Sequence, residues 1–174
     1  MKKLEDYVEI IPDFPEKGVI FRDITSVLQD KEGFKLAIDE LLKLFEGVDF
    51  DVIAAAESRG FILGAPIAYE LNKPLVLVRK KGKLPRKTVS EEYALEYGTA
   101  TLEMHEDSVA PGQKVILIDD LLATGGTLNA SAKLVERLGG KVEKIICLME
   151  LQSLKGREVL KGYDVETVIK YEVN

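Results

Sequence analysis

Four short, mainly apolar segments, 52–56, 75–78, 115–118 and 142–149, constrain this chain more than any other feature. A strand that is apolar at successive positions rather than at every second one must be buried on both faces, and a parallel sheet covered by helices provides that environment. The stretches between these segments carry the covering layer. Phe34, Ala37, Ile38, Leu41, Leu42 and Phe45 recur at helical spacing after Asp30 and Gly33 and stop near Gly47, and further helical patterns run over 61–71 and from about Thr127 to Leu138. Parallel strands need crossover connections, which are right-handed. The pattern predicts an α/β fold, an open, mostly parallel sheet flanked by helices. Hydrophobic residues make up 46% of the 174, and no linker, repeat or low-complexity tract divides them, so residues 1–174 are expected to form one domain.

Composition removes several function classes. Lys and Arg total 24 against 30 Asp and Glu, a net charge of −6, which argues against a nucleic-acid or membrane-surface partner because both are anionic. Cys147 and His105 are the single cysteine and histidine, so neither an internal disulfide nor a His/Cys-rich zinc site can form, and both read as structural residues. Acids follow Met1-Lys2-Lys3 where an export signal would place its apolar stretch. The longest apolar runs, such as 52–56, fall far short of the ~20 residues that span a bilayer. A cytoplasmic location is the expectation.

One segment, 79–92, fits neither strand nor helix: it is basic and then acidic, contains Gly82 and Pro85, and reads as a long mobile loop. Residues 91–95 and 99–104 flank Glu96-Tyr97-Gly98 as an antiparallel hairpin with Gly98 at its turn. Loop and hairpin together, 80–105, are expected to form a lid.

The chemistry concentrates in Val115-Ile116-Leu117-Ile118-Asp119-Asp120-Leu121-Leu122-Ala123-Thr124-Gly125-Gly126-Thr127. Ligands of open α/β sheets sit beyond the carboxyl ends of the strands. Glycines there let backbone N–H groups approach an anion, the following helix adds its positive dipole end, and Thr124 and Thr127 add hydroxyl donors, a combination suited to a phosphate monoester. Carboxylates repel phosphate but accept from vicinal hydroxyls. Diol and phosphate together describe a ribose 5-phosphate. The glycine-rich nucleotide motifs Gly-x-x-x-x-Gly-Lys-Ser/Thr and Gly-x-Gly-x-x-Gly are absent. The plainer alternative is a solvated strand end followed by an ordinary turn.

This string resembles the phosphoribosyl-pyrophosphate signature of the type I phosphoribosyltransferases. Further segments are similar to the adenine-specific branch of that family: Phe14-Pro15 with Gly18-Val19-Ile20-Phe21-Arg22-Asp23-Ile24, then Glu57-Ser58-Arg59-Gly60-Phe61. Next come Arg79-Lys80-Lys81-Gly82-Lys83-Leu84-Pro85 with Leu95-Glu96-Tyr97-Gly98, and finally Glu150-Leu151 with Ser153-Leu154-Lys155-Gly156-Arg157-Glu158. The match runs in order from about Pro12 to Leu160. Arg86 departs from the pattern, which has glycine there.

The resemblance implies the type I phosphoribosyltransferase fold, with residues 1–30 as a small hood over the base and 80–105 as a catalytic lid. Tyr7, Val8, Ile10 and Ile11 are expected to pack an N-terminal helix beside that hood. It implies purine salvage, the reaction of adenine with phosphoribosyl pyrophosphate to AMP and pyrophosphate. Mg²⁺ would be carried by the pyrophosphate substrate rather than held in a protein cage. By the same resemblance Asp119 and Asp120 lie at the ribose hydroxyls, and Ala123, Thr124, Gly125, Gly126 and Thr127 wrap the 5′-phosphate. Ser58 and Arg59 form the pyrophosphate loop, joined by Arg79 and Lys83 from a run in which six of the nine residues 79–87 are basic. The family pattern has the arginine offered by a neighbouring subunit, hence a homodimer. Glu96 would exchange a proton with the base, with Arg59 and Lys83 as its catalytic partners. Phe21 would stack on the base, backbone groups of Ile20 and Arg22 would read its edge, and Leu121 would close the other face. Two other classes stay open: a phosphoribosyltransferase for another base, and a nucleic-acid-binding regulator that keeps the fold, against which the net charge speaks.

Overall fold

The computed structural model describes residues 1–95 and 97–172. A single 3₁₀ turn, Leu4–Tyr7, leads into β1 (Glu9–Pro12), which pairs antiparallel with β2 (Ile20–Asp23) as a separate two-stranded sheet. Two helices follow, α1 (Thr25–Gln29) and α2 (Lys31–Lys43). Asp30 starts α2 by accepting from the Glu32 and Gly33 amides at 2.9 and 3.0 Å, two donors with no intrahelical partner. Then come β3 (Val52–Ala56), α3 (Arg59–Glu70), β4 (Leu75–Lys80), β5 (Thr88–Ala94), β6 (Thr99–His105), β7 (Lys114–Leu122), α4 (Gly126–Arg137), β8 (Lys141–Leu151), α5 (Gly156–Val159) and β9 (Val165–Tyr171).

The main sheet has the order β5-β6-β4-β3-β7-β8-β9. Its last five strands are mutually parallel, and β6 and β5 continue it as an antiparallel edge. Residues alternate between two buried layers. Ile53, Ala55, Ile116, Ile118, Ile146 and Leu148 pack under α1, α2 and α3. Val52, Ala54, Val115, Leu117, Ile145 and Cys147 pack under α4. Every residue of β3 is buried, as strands covered on both faces require. Cys147 is a small buried hydrophobe, and burial pushes its thiol well above the usual range.

Several expectations need correction. The segment 79–92 is not one long loop: β4 runs through Lys80 and β5 starts at Thr88, because β6 supplies ladder partners on both sides and overrides the local charge. Only 81–87 connects them. The expected lid hairpin is therefore part of the main sheet. Ile10 and Ile11 belong to β1 rather than to an N-terminal helix, and Ile10 is exposed. Lastly, β9 completes the sheet as a fifth parallel strand, where Val165-Glu166-Thr167-Val168-Ile169-Lys170-Tyr171 alternates as an edge strand does and lacks a continuous apolar run.

Candidate active site

The chain leaves β3 toward β4 on one side and leaves β7 toward β8 on the other. Loops at neighbouring carboxyl ends then diverge and open a crevice. A cavity of about 340 Å³ lies at that point, lined by Glu57, Ser58, Arg59, Lys80, Asp119, Asp120, Leu121 and 123–128. Its size is in the range of small-molecule sites.

The acids belong to β7 itself, which continues through Leu122, so both are buried. Asp120 accepts from Arg59 Nε at 2.5 Å, and its own amide donates to Asp119 Oδ1 at 2.8 Å. The bond to Asp120 holds the Arg59 guanidinium above its ordinary range. Burial, and then the Asp120 charge beside it, push the Asp119 carboxyl well above the usual carboxylate range. Gly60 permits this assembly: a Cβ there would stand 3.1 Å from both Asp119 Oδ1 and the Ile118 carbonyl oxygen, so the first turn of α3 seats against β7 only without one.

Residues 123–125 carry β7 into α4, with Gly125 in the left-handed region at φ +87°. This loop and the amino end of α4, with Thr124 and Thr127, line the cavity, a set of groups suited to an anion. The loop is backed from behind by the segment after β8. Gly156 packs so closely that a Cβ on it would stand 2.4 Å from the Ala123 carbonyl oxygen. That segment is anchored by Arg157, which donates from Nε and Nη2 to the two oxygens of buried Glu150 at 2.8 and 2.9 Å, while the Thr167 hydroxyl donates to the same carboxylate at 2.8 Å. The Arg157 bond holds Glu150 below its ordinary range.

The basic run splits by strand alternation. Lys80 faces the cavity, whereas Arg79 faces the α3 side, its Nε 3.6 Å from Glu57 Oε1 and its guanidinium 6.0 Å from the Phe61 ring centroid. Glu57 also accepts from the Lys80 amide, so one carboxylate ties the loop after β3 to the end of β4. Lys83 is exposed on the 81–87 connection and is not among the cavity residues. That connection is fixed at its root, where buried Glu103 accepts from the Gly82 amide at 3.2 Å and the Ser90 hydroxyl at 3.4 Å. Farther along, Arg86 pairs with Asp107 at 3.1 Å and its amide donates to His105 Nε2 at 3.3 Å.

Ile20, Phe21 and Arg22 lie half-buried on β2, outside the residues that line the cavity. Phe21 meets Phe14 edge to face at 5.2 Å, and the Arg22 guanidinium lies 4.0 Å over the Tyr171 ring. Leu121 lines the cavity on its β7 side. Glu96 lies outside the described residues; Leu95 and Tyr97, on either side of it in the sequence, are exposed. The structure thus gathers Ser58, Arg59, Asp119, Asp120, Leu121, Ala123, Thr124, Gly125, Gly126 and Thr127 into one cavity. It adds Glu57 and Lys80, which sequence reasoning did not single out, although strand period 2 would have separated Lys80 from Arg79.

A family model described as the phosphoribosyl transferase domain matches residues 24–173. The chain is 67% identical over 171 residues to the adenine phosphoribosyltransferase of Lachnoclostridium phytofermentans, covering 98% of each protein. The crystal structure of adenine phosphoribosyltransferase from Thermoanaerobacter pseudethanolicus superposes with a TM-score of 0.94 at 56% identity, over 97% of this chain and 100% of that one. The enzyme of the same name from Saccharomyces cerevisiae, solved with adenine and an imino-altritol bisphosphate, superposes with a TM-score of 0.89 at 36% identity, over 95% and 96% of the two chains.

Proposed function

The chain belongs to the adenine phosphoribosyltransferase family, and from that premise we propose how its cavity transfers the 5-phosphoribosyl group from phosphoribosyl pyrophosphate to adenine, giving AMP and pyrophosphate. The observation that carries the proposal is the meeting, at one switch point, of an anion loop at 123–127, two buried carboxylates, and a second loop bearing Ser58 and Arg59. A substrate with phosphate at one end, a diol in the middle and diphosphate at the other has the same order of groups.

In this reading residues 123–127 hold the 5′-phosphate, and Asp119 and Asp120 accept from the ribose hydroxyls. Bond breaking at the anomeric carbon builds positive charge on the ring and negative charge on the leaving diphosphate. The carboxylates offset the first. Arg59, Lys80 and the amides after β3 offset the second, since the Asp120 bond uses one of the five donors of Arg59. A ring nitrogen of adenine attacks the opposite face, the carbon–oxygen bond breaks with its electron pair leaving on pyrophosphate, and the base gives up its N–H proton. We assign proton exchange at the imidazole side of the base to Glu96. Mg²⁺ would come bound to the diphosphate and would supply positive charge to the leaving group beside Arg59 and Lys80. Among the described residues no group of three or more His, Cys, Asp or Glu is placed to hold a metal ion.

The hood reading rests on β2. Pro12, which has no N–H, stands opposite Ile20, and a proline fits a ladder where its missing donor would have faced away. The period of 2 then turns the backbone groups of Ile20 and Arg22 to the open edge, where an adenine edge can be read. The Arg22 side chain is engaged over Tyr171 instead.

A homodimer belongs to the same proposal. Arg79 does not line its own cavity, and Ile62 and Tyr69, seven apart on α3, expose 42% and 87% of their surface. A second copy would cover those two side chains and receive the arginine. Because phosphoribosyl pyrophosphate is a polyanion that does not cross membranes, the enzyme works where it is made, and we assign it to the cytoplasm.

The test is direct: incubate the chain with phosphoribosyl pyrophosphate, Mg²⁺ and each purine in turn, and identify the nucleotide. AMP from adenine is expected. Comparable specificity constants for adenine and hypoxanthine would refute the hood reading, because hypoxanthine reverses the donor and acceptor pattern and two unpaired buried groups imply discrimination of ~10²–10⁴.

A further inference from the structure

The β5–β6 hairpin is fastened to α4 at two points along β5, its middle and its far end. Arg137, in the last turn of α4, donates to the Ser90 carbonyl oxygen and to the Glu91 carboxylate, with Lys133 4.0 Å from the same carboxylate. At the far end the Tyr93 ring lies on Gly126, where a Cβ would stand 3.2 Å from ring Cδ2. The Tyr93 hydroxyl stands 3.3 Å from Thr127 Oγ1. Gly126 and Thr127 line the cavity, while Tyr93 sits outside it on the second-to-last residue of β5. Beyond it comes the tip, where the Leu95 amide donates to the Gly98 carbonyl oxygen at 3.0 Å.

A threonine hydroxyl carries one proton and two lone pairs. When Thr127 gives its proton to a phosphate oxygen, its own oxygen is left as an acceptor, and the phenol of Tyr93 is the donor beside it. The resulting chain runs from Tyr93 O–H to Thr127 Oγ1 and from Thr127 O–H to phosphate, and each bond strengthens the other. Resting on the reading of 123–127 as the 5′-phosphate loop, we propose that Tyr93 is a positioning residue of that site. It orients the Thr127 hydroxyl toward phosphate and ties the hairpin carrying residues 95–98 to the same loop. Gly126 is part of the device, since a side chain there would hold the ring off.

Tyr93→Phe keeps the ring on Gly126 and removes only the donor. The experiment is calorimetric titration of wild type, Tyr93→Phe, Thr127→Val and the double variant with AMP and, separately, with adenosine, which lacks the phosphate. Tyr93→Phe is expected to weaken AMP by ~3–10-fold, the range of one hydrogen bond. It should leave adenosine unchanged and raise KM for phosphoribosyl pyrophosphate by the same factor. In the Thr127→Val background the same change should cost nothing further. A merely structural role would weaken AMP and adenosine alike or give additive losses, and either result overturns the proposal, as does an AMP affinity equal to wild type. A wild-type chain that binds AMP no tighter than adenosine removes the phosphate loop itself, which separates failure of the functional reading from failure of the Tyr93 assignment.

Discussion

Gly156→Ala should damage catalysis from outside the cavity. The added methyl would stand 2.4 Å from the Ala123 carbonyl oxygen and 2.7 Å from Leu122 Cδ1, about 1 Å short of ordinary van der Waals separation. Leu122 is 1% exposed and has no free space to turn into, and Glu150 and Arg157 hold the Gly156 segment from the other side, so the 123–125 loop must give way. Overpacking of this kind costs ~1–3 kcal/mol, which in a chain of 174 residues is a fall of ~3–9 °C in Tm. Moving an anion loop by about 1 Å misaligns the reacting centre and can cost ~10²-fold in rate. We therefore expect kcat/KM for phosphoribosyl pyrophosphate to fall ~10–100-fold while adenine affinity stays within about two-fold, because the hood strands β1 and β2 form a sheet of their own, apart from the one that carries this segment. Gly162→Ala is the control. Its φ of +101° makes alanine strained, but no atom lies within 4 Å of the new methyl, so it should lower Tm and leave kcat/KM intact. Scanning calorimetry and steady-state kinetics on both variants decide the matter. Full activity in Gly156→Ala, with or without a lower Tm, would refute the claim that the segment after β8 sets the loop.

Asp119→Asn should weaken turnover yet raise Tm at neutral pH. Because the folded carboxyl titrates above its ordinary range, the native state holds the proton longer than the unfolded chain, so stability falls as pH rises through and beyond that range. The variant's thermal advantage should shrink toward pH 4, and an advantage independent of pH would contradict the cause. Mixing Arg79→Ala with Asp120→Asn chains should restore part of the activity that each lacks, provided the arginine serves the neighbouring site. A strictly monomeric protein in sedimentation ends that idea. Glu96→Gln keeps the volume but can neither take up nor return a proton, so turnover should drop ~10²–10⁴-fold, and an unchanged rate and pH profile would remove Glu96 from the proton exchange.

What the sequence made legible follows from how local each determinant is. The anion loop, the acids and the Ser58-Arg59 loop are each contiguous with a strand whose apolar run announces its end, so both their chemistry and their place in the sheet could be read together. The 81–87 connection was overestimated because its boundaries are set by ladder partners on β6, some twenty residues away, and nothing in the basic run announces them. Lys80 and Arg79 show the same limit at finer scale: adjacent and both cationic, they part only when β4 is known to continue through them, and then one lines the cavity and the other does not. The contacts that Tyr93 and Gly156 make were hidden for a stronger reason. Each of the two reads as an ordinary residue of a hairpin or a turn, and each matters through its contacts with one distant loop, Tyr93 with Gly126 and Thr127 ahead of it and Gly156 with Ala123 behind it. In both contacts a glycine makes room for a neighbour that arrives from another part of the chain, so the signal in the sequence is half of a pair. A glycine that a local turn explains, such as Gly82 with its φ of +83° and open space where a Cβ would stand, and one that only a distant partner explains, such as Gly156, look alike until the fold brings that partner within reach.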